Sequence, residues 1–144
     1  MTSITLSQAN VIVDETLKKA RDTKSAPLTV AVLDAGGHLV ALKREDNSGI
    51  IRSEIAFAKA YGALGMGFGS RELLERSKAN PSFIGALTAL SHGRLVPVPG
   101  GVLIKNESGA VIGAVGVSGD TSDRDEECAL AGIGAAGLAA QPGR

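Results

Sequence analysis

Apolar side chains recur along much of the chain at intervals of three to four residues, the spacing that places them on one face of a helix. Charged residues fill the positions between them, so these segments are predicted to be amphipathic helices. Asn80 followed by Pro81 is typical of a helix start. The carboxylates that follow Asp120 lie where a helix dipole stabilises negative charge. The predicted helices are residues 6–20, about 50–66, 70–79, 81–90, and a last one from Asp120 or Ser122 to about 139.

Two glycine-containing turns divide runs of β-branched and apolar residues into hairpins. Gly36 and Gly37 form the first turn, and Ser108 and Gly109 belong to the second; glycine adopts positive φ at little steric cost. A further short strand contains Pro97 and is followed by Pro99, so it is expected at a sheet edge, because proline cannot donate a ladder hydrogen bond. The predicted strands are residues 28–34, 38–44, 94–98, 101–106 and 110–118. Strands joined by tight hairpins are antiparallel, so we expect an α+β fold with a five-stranded antiparallel sheet flanked by helices.

Length and charge narrow the class of protein. The chain has 144 residues, which fits one domain over 1–144 with a buried core. Fifteen basic and fifteen acidic residues cancel, and no basic run is present, so nucleic acid is not expected as a partner. No segment has the pattern of a signal peptide or a membrane span. The single cysteine, Cys128, has no intrachain partner, which fits a reducing compartment, and a cytoplasmic location is expected.

Small residues leave two predicted helices with flat faces. Gly62 and Gly65 lie in the second helix, and Ala129, Gly132 and Ala136 lie in the last one. Because flat helices approach neighbours closely, we expect these faces to form a subunit interface, with at least a dimer burying about 1,000 Å² or more in total per contact.

The two histidines, His38 and His92, both lie where a glycine-containing turn meets a predicted strand. Imidazole titrates near neutral pH and also ligates haem iron, so each could be an acid/base group or an iron ligand. The alternative for each is an exposed turn residue without such a role. Asp34 ends the first strand, where it either caps the turn or acts with His38 in acid/base chemistry.

Two arginines are candidate anchors for an anionic ligand. Arg44 ends the second strand and Arg94 follows the last short helix. A guanidinium group binds a carboxylate or a haem propionate through two hydrogen bonds. The alternative for Arg44 is a surface ion pair with Glu45 or Asp46, which contributes less than about 1 kcal/mol.

Two loops are candidate sources of backbone donors. Pro99, Gly100 and Gly101 form a turn that could let a flat ligand approach the main chain, and simple turn geometry is the alternative. Ser118 begins the connection to the last helix, whose N–H groups could bind an anion or could simply be capped by side chains.

Four segments together resemble one family much more specifically than any short motif does. They are VLDAGGHLVALKRED (32–46), IAFAKAYGA (55–63), GRLVPVPGGVLI (93–104) and GAVGVSGDTSDRDEECALAGI (113–133). The chain resembles the GlcG/HbpS-like family of haem-binding or haem-degrading proteins from about residue 5 to 138. The C-terminal domain of PduO-type corrinoid adenosyltransferases is similar too.

The resemblance implies a profilin-like α/β/α fold, a homo-oligomer, and binding of haem or a related tetrapyrrole. It places Asp34 and His38 on the family's hairpin signature and Arg44 on its post-strand arginine. His38 is then the first candidate for the haem iron, with Arg44 or Arg94 on a propionate, and some of these groups are expected to converge on one pocket.

Two other functions stay open. One is a cofactor-independent enzyme for a small carboxylic or hydroxy acid, in which Arg44 or Arg94 anchors the carboxylate and His38 or Asp34 moves the proton. The other is a scaffold or regulatory subunit. The small number of aromatic residues, three Phe and one Tyr, argues mildly against a haem pocket and keeps these alternatives in view.

Overall fold

The computed structural model of the protein describes residues 3–144, which form five helices and five strands. In chain order these are α1 (Leu6–Asp22), β1 (Thr29–Asp34), β2 (Leu39–Arg44), α2 (Arg52–Met66), α3 (Ser70–Ala79), α4 (Pro81–Leu90), β3 (Gly101–Lys105), β4 (Val111–Ser118), α5 (Ser122–Ala135) and β5 (Ala139–Gln141). Thr5 and Asn80 cap α1 and α4 by accepting hydrogen bonds from backbone N–H groups of the first turn. Within the described residues no helix has the length and apolarity that crossing a bilayer requires.

The strands form one antiparallel sheet in the order β2-β1-β4-β3-β5. Both predicted hairpins are present, β1 with β2 and β3 with β4. In the first hairpin Thr29 lies opposite Arg44, and Leu33 lies opposite Leu39. The prediction of an α+β fold with a five-stranded antiparallel sheet is therefore confirmed.

The fifth strand is not the predicted one. Residues 94–98 have no strand structure, because Pro97 within this segment and Pro99 directly after it lack the N–H groups that a ladder needs. The sheet is completed by β5, which pairs with β3 through Lys105 and Ala139. The last helix also ends at Ala135 and not at about 139; Gly137, with a φ of 72°, turns the chain back toward the sheet.

Neighbouring residues on a strand face opposite helix layers. Val32 of β1 packs in one cluster with Ile12 of α1 and Ile133 of α5. The next residue, Leu33, packs in a second cluster with Ala60 of α2. Because side chains alternate along a strand, α1 and α5 cover one face of the sheet and α2 covers the other.

α2 lies directly on the sheet because two strand positions beneath it are glycine. A Cβ at Gly116 would overlap the carbonyl group of Ala56, and one at Gly101 would overlap the carbonyl group of Lys59. Glycine within a strand commonly marks such a close approach of two backbones. This packing sets the position of α2, which carries the aromatic residues described below.

The small residues predicted to form a subunit interface are mostly used within the chain. Gly62 accommodates Leu95, whose Cγ lies 3.1 Å from the position of an added Cβ. Gly132 accommodates Thr16 of α1, and Ala129 is fully buried in the core. The prediction that Gly62, Ala129 and Gly132 offer flat faces to a second subunit is therefore wrong, because residues of the same chain already cover them.

Candidate functional site

Two aromatic side chains stack on the outer part of α2. Phe57 and Tyr61 are one helical turn apart, with ring centroids separated by 5.8 Å and ring planes inclined by 19°. Both are half-buried, so each ring keeps an exposed part. The turn between β1 and β2 approaches Tyr61 closely: an added Cβ at Gly37 would lie 3.1 Å from Tyr61 Cε2. The aromatic pair therefore lies between α2 and the first hairpin.

Arg94 covers the ring of Tyr61. Its guanidinium carbon lies 4.3 Å from the ring centroid, a cation–π arrangement. Its Nε donates a 2.8 Å hydrogen bond to the Ser91 carbonyl oxygen. Within residues 3–144 no carboxylate lies within ion-pair distance of this guanidinium. Arg94 is thus a positive charge held by an aromatic face and a carbonyl group.

Two hollows flank Arg94, and we call them together the Arg94 groove. The first hollow, of ≈330 Å³, is lined by Leu42 of β2, by Phe57 and by His92. The second hollow, of ≈300 Å³, is lined by Tyr61 and by Leu90 of α4. Arg94 lines both. The groove brings together an aromatic pair, an imidazole and a positive charge on a mostly apolar surface.

His38 and Asp34 lie together, as the sequence predicts, but they line a different hollow from His92. His38 Nδ1 is 3.3 Å from Asp34 Oδ1, which leaves Nε2 available to a ligand, and the imidazole is 81% exposed. Asp34 Oδ1 also accepts hydrogen bonds of 3.0 Å from the backbone N–H groups of His38 and Gly36. These bonds, that of His38 first, lower the pKa of Asp34. The hollow beside the pair, of ≈470 Å³, is lined also by Ile4 and Val40.

Arg44 lies at the opposite end of the first hairpin from Asp34 and His38. It lines a separate surface hollow, of ≈500 Å³, together with Arg21 and Glu45. Glu45 pairs with Arg21, at 3.0 Å, and not with Arg44. The predicted candidates therefore fall into three places: Asp34 with His38, Arg94 with His92, and Arg44 away from both.

The predicted backbone donors serve packing. The Gly101 N–H donates a 2.7 Å hydrogen bond to Ser70 Oγ, and the Gly100 carbonyl accepts one of 3.0 Å from the Val117 N–H. Pro99 is buried. The prediction that this turn offers free N–H groups is therefore wrong for Gly101, because its partner comes from α3, a segment distant in sequence.

Ser118 is likewise fully buried, and its Oγ accepts a 3.1 Å hydrogen bond from Arg52 Nη1. The start of α5 is capped by Thr121, which accepts from the Arg124 N–H. The capping alternative for this loop is confirmed.

The aromatic pair is not among the site residues predicted from the sequence. Its signal is visible in retrospect: two of only four aromatic residues stand four positions apart, where they share one face of a helix. Within residues 3–144 no group of three His, Cys, Asp or Glu side chains is arranged to hold a metal ion.

Comparison with known proteins gives a family and a fold. Residues 4–134 match the model of a family described as haem degrading protein HbpS-like. A Citrobacter freundii protein, described as an uncharacterized 15.0 kDa protein in the dhaT-dhaS intergenic region, is 31% identical over 123 residues, which are 85% of this chain and 84% of that protein.

Two solved structures share the arrangement of helices and strands. PduOC in a complex with haem superposes with a TM-score of 0.86 at 23% identity, over 95% of this chain and 97% of that one. A double mutant of Streptomyces reticuli HbpS gives a TM-score of 0.79 at 26% identity, over 93% of this chain and 87% of that one. The first likeness shows the fold alone, and it agrees with the predicted similarity to the PduO domain.

Proposed function

The chain belongs to the HbpS-like family of haem-degrading proteins, and on this premise we propose that it binds haem, or a related planar tetrapyrrole, in the Arg94 groove. The observation that carries the proposal is the arrangement around Tyr61: a stacked aromatic pair, a guanidinium that has no carboxylate partner among the described residues, and an imidazole. The haem named for PduOC and the family description support it.

The residues of the groove fit the parts of a haem molecule. Phe57 and Tyr61 would present an aromatic surface to a flat macrocycle once Arg94 leaves the ring of Tyr61. Arg94 offers free donors to a propionate. His92 is the imidazole within the groove, at a turn position with a φ of 58°. Haem, when bound, would supply an iron that can be ligated by an imidazole and can change oxidation state.

We assign the iron to His92 because this residue lines the same hollow as Phe57, whereas His38 lies beside Asp34 in a different hollow. His38 stays the prediction of the sequence analysis, and one feature supports it. Metal-ligating histidines commonly have their second nitrogen held by a carboxylate, as Asp34 holds His38. Substituting each histidine separately distinguishes the two assignments.

We also propose that the protein is a homo-oligomer in which a second copy covers part of the groove. Leu90, which lines the second hollow, is 75% exposed, and Leu42, which lines the first, is 36% exposed. Contiguous exposed apolar surface on a folded chain commonly marks an interface.

The cofactor-independent enzyme has less support. Its mechanism needs an acid/base group and a carboxylate anchor in one place. The hollow beside Asp34 and His38 is lined by no arginine or lysine among the described residues, and Arg44 lies at the other end of the hairpin. A scaffold or regulatory subunit would not need the Arg94 groove, so the groove gives this alternative no support.

Titration of the purified protein with haemin tests the proposal. We expect a saturable Soret band with a maximum shifted from that of free haemin. Arg44→Met is a suitable control, because Arg44 lies outside the groove and should leave the titration unchanged. A spectrum that remains the sum of free haemin and protein, at every ratio, would show that no complex forms.

A further inference from the structure

We infer that Arg94 makes the groove selective for planar macrocycles that carry free carboxylates. Its guanidinium group leaves the face of Tyr61 when the ligand stacks there, and it then binds the ligand's carboxylate. This inference rests on the proposed function and names the ligand class that the same site takes.

The contacts of Arg94 leave most of its hydrogen-bonding capacity unused. A guanidinium has five N–H donors. Only Nε donates a hydrogen bond within residues 3–144, to Ser91 O at 2.8 Å. The flat face of the group rests on Tyr61, at 4.3 Å from the ring centroid. Both terminal nitrogens are therefore available to a carboxylate.

Arg94 also occupies the surface that a macrocycle would need. The exposed face of Tyr61 is the place where a flat ligand would stack, and the guanidinium covers it. Arg94 is moreover the shared wall of the two hollows, of ≈330 and ≈300 Å³. When its side chain leaves the ring, the hollows join into one space within the range of about 300–1,000 Å³ typical of ligand sites.

The exchange is favourable only for a ligand with a carboxylate. A macrocycle replaces the cation on Tyr61 by an aromatic contact, and a carboxylate gives the displaced guanidinium two charge-assisted hydrogen bonds. A neutral macrocycle displaces the same cation and offers it no partner. Arg94 therefore opposes neutral ligands and favours anionic ones, which is how a single residue creates specificity.

The charges around the groove determine the side on which the ligand's carboxylate binds. The first hollow is lined by Glu54, which repels an anion. Arg94 is the charged residue among those that line the second hollow. The ligand's carboxylate is therefore expected on the side of the second hollow, near Leu90 and Tyr61.

The test compares haemin with haemin dimethyl ester, in which both propionates are blocked. Affinities are measured by Soret absorption and, independently, by the emission of Tyr61, the single tyrosine of the chain. The wild-type protein should bind haemin about tenfold or more tightly than the diester, the size of effect expected of one charge-assisted pair. Arg94→Met should bring the two affinities close together, mainly by weakening haemin, and Arg94→Lys should keep part of the difference.

Arg76 provides a matched control. Its guanidinium carbon lies 4.4 Å from the centroid of the Phe68 ring, a second cation–π contact outside the groove, although Arg76 is also paired with Glu72. Arg76→Met should keep the wild-type preference for haemin. Equal affinities for both macrocycles in the wild type, or an unchanged preference in Arg94→Met, would overturn the inference while leaving haem binding itself intact. Failure of both macrocycles to bind would overturn the proposed function and this inference with it.

Discussion

Lys59 on α2 and Asp125 on α5 form a buried ion pair, with Nζ 3.1 Å from Oδ2 and side chains that are 3% and 1% exposed. Lys59 Nζ also donates a 2.8 Å hydrogen bond to the Val117 carbonyl oxygen at the end of β4. The pair therefore joins the helices on the two faces of the sheet. Burial lowers the pKa of Lys59 and raises the pKa of Asp125, because loss of hydration opposes both charges.

Breaking this pair should destabilise the fold strongly. Asp125→Asn leaves a buried ammonium group without its counter-charge, and we expect the free energy of unfolding to fall by about 3–5 kcal/mol. Denaturant unfolding measures the change. Asp14→Asn is the control: it breaks an exposed pair with Lys43, at 2.7 Å, and should cost less than about 1 kcal/mol. Equal decreases in the free energy of unfolding in both variants would show that the buried Lys59–Asp125 pair stabilises the fold no more than an exposed pair does.

Asp120 should make stability depend on pH in the acid range. Its carboxylate accepts hydrogen bonds from the N–H groups of Ala26, at 2.7 Å, and Thr121, at 2.6 Å, and these bonds lower its pKa. The folded state therefore binds fewer protons at this group than the unfolded state does. The resulting stabilisation is present in full above the unfolded pKa of about 4 and is lost as the pH falls through the lower folded value.

Asp120→Asn keeps an acceptor oxygen and removes the charge. Urea midpoints measured from neutral pH down to about pH 3 should fall less steeply in this variant than in the wild type. Asp46→Asn, at an exposed loop position, serves as the control and should follow the wild-type curve. An identical acid dependence in Asp120→Asn and wild type would contradict the role given to Asp120.

The elements that the sequence predicts correctly are those with local signals. Both hairpins depend on glycine turns between apolar runs, and α4 depends on the adjacent Asn80 and Pro81. β5 has no such signal, since Ala139–Gln141 is a three-residue strand that exists through its pairing with β3. The residues next to β5 in the sequence do not indicate that β3 is its partner.

The same limit applies to the site. Arg94 is recognisable as an anion anchor from its residue type, but its partner Tyr61 is 33 positions earlier in the chain. The sequence alone suggests that the Gly101 N–H is a free donor, but in the folded chain it donates a hydrogen bond to Ser70 Oγ. Residue chemistry could therefore be predicted, and the grouping of residues could not.

The histidine assignment predicts different spectra for two variants. His92→Ala should shift the Soret maximum of the haemin complex, because the iron loses its imidazole. His38→Ala should leave the maximum unchanged, and it should leave the fold intact because the ring is largely exposed. If the Soret maximum shifts in His38→Ala and not in His92→Ala, the iron ligand is His38, as the sequence first suggests.

The assembly prediction concerns Leu90. Sedimentation of the wild-type protein at micromolar concentration should show at least a dimer. Leu90→Glu places a charge on the apolar surface of the groove and should shift the equilibrium toward the monomer. Leu6→Glu, on α1, is the control, because Leu6 is 59% exposed and lies outside the groove. A wild-type mass of 14.6 kDa throughout the concentration range would refute the assembly.

The emission of Tyr61 during a haemin titration shows whether haem binds against the aromatic pair. The chain has one tyrosine and no tryptophan, so this emission comes from a single ring, which lies in the groove and beside the turn at Gly37. Haem bound against the ring should quench the emission almost completely, with the same saturation point as the Soret band, after correction with free N-acetyltyrosinamide for absorbed light. A Soret band that saturates while the corrected emission of Tyr61 remains unchanged would place the haem elsewhere and contradict the account.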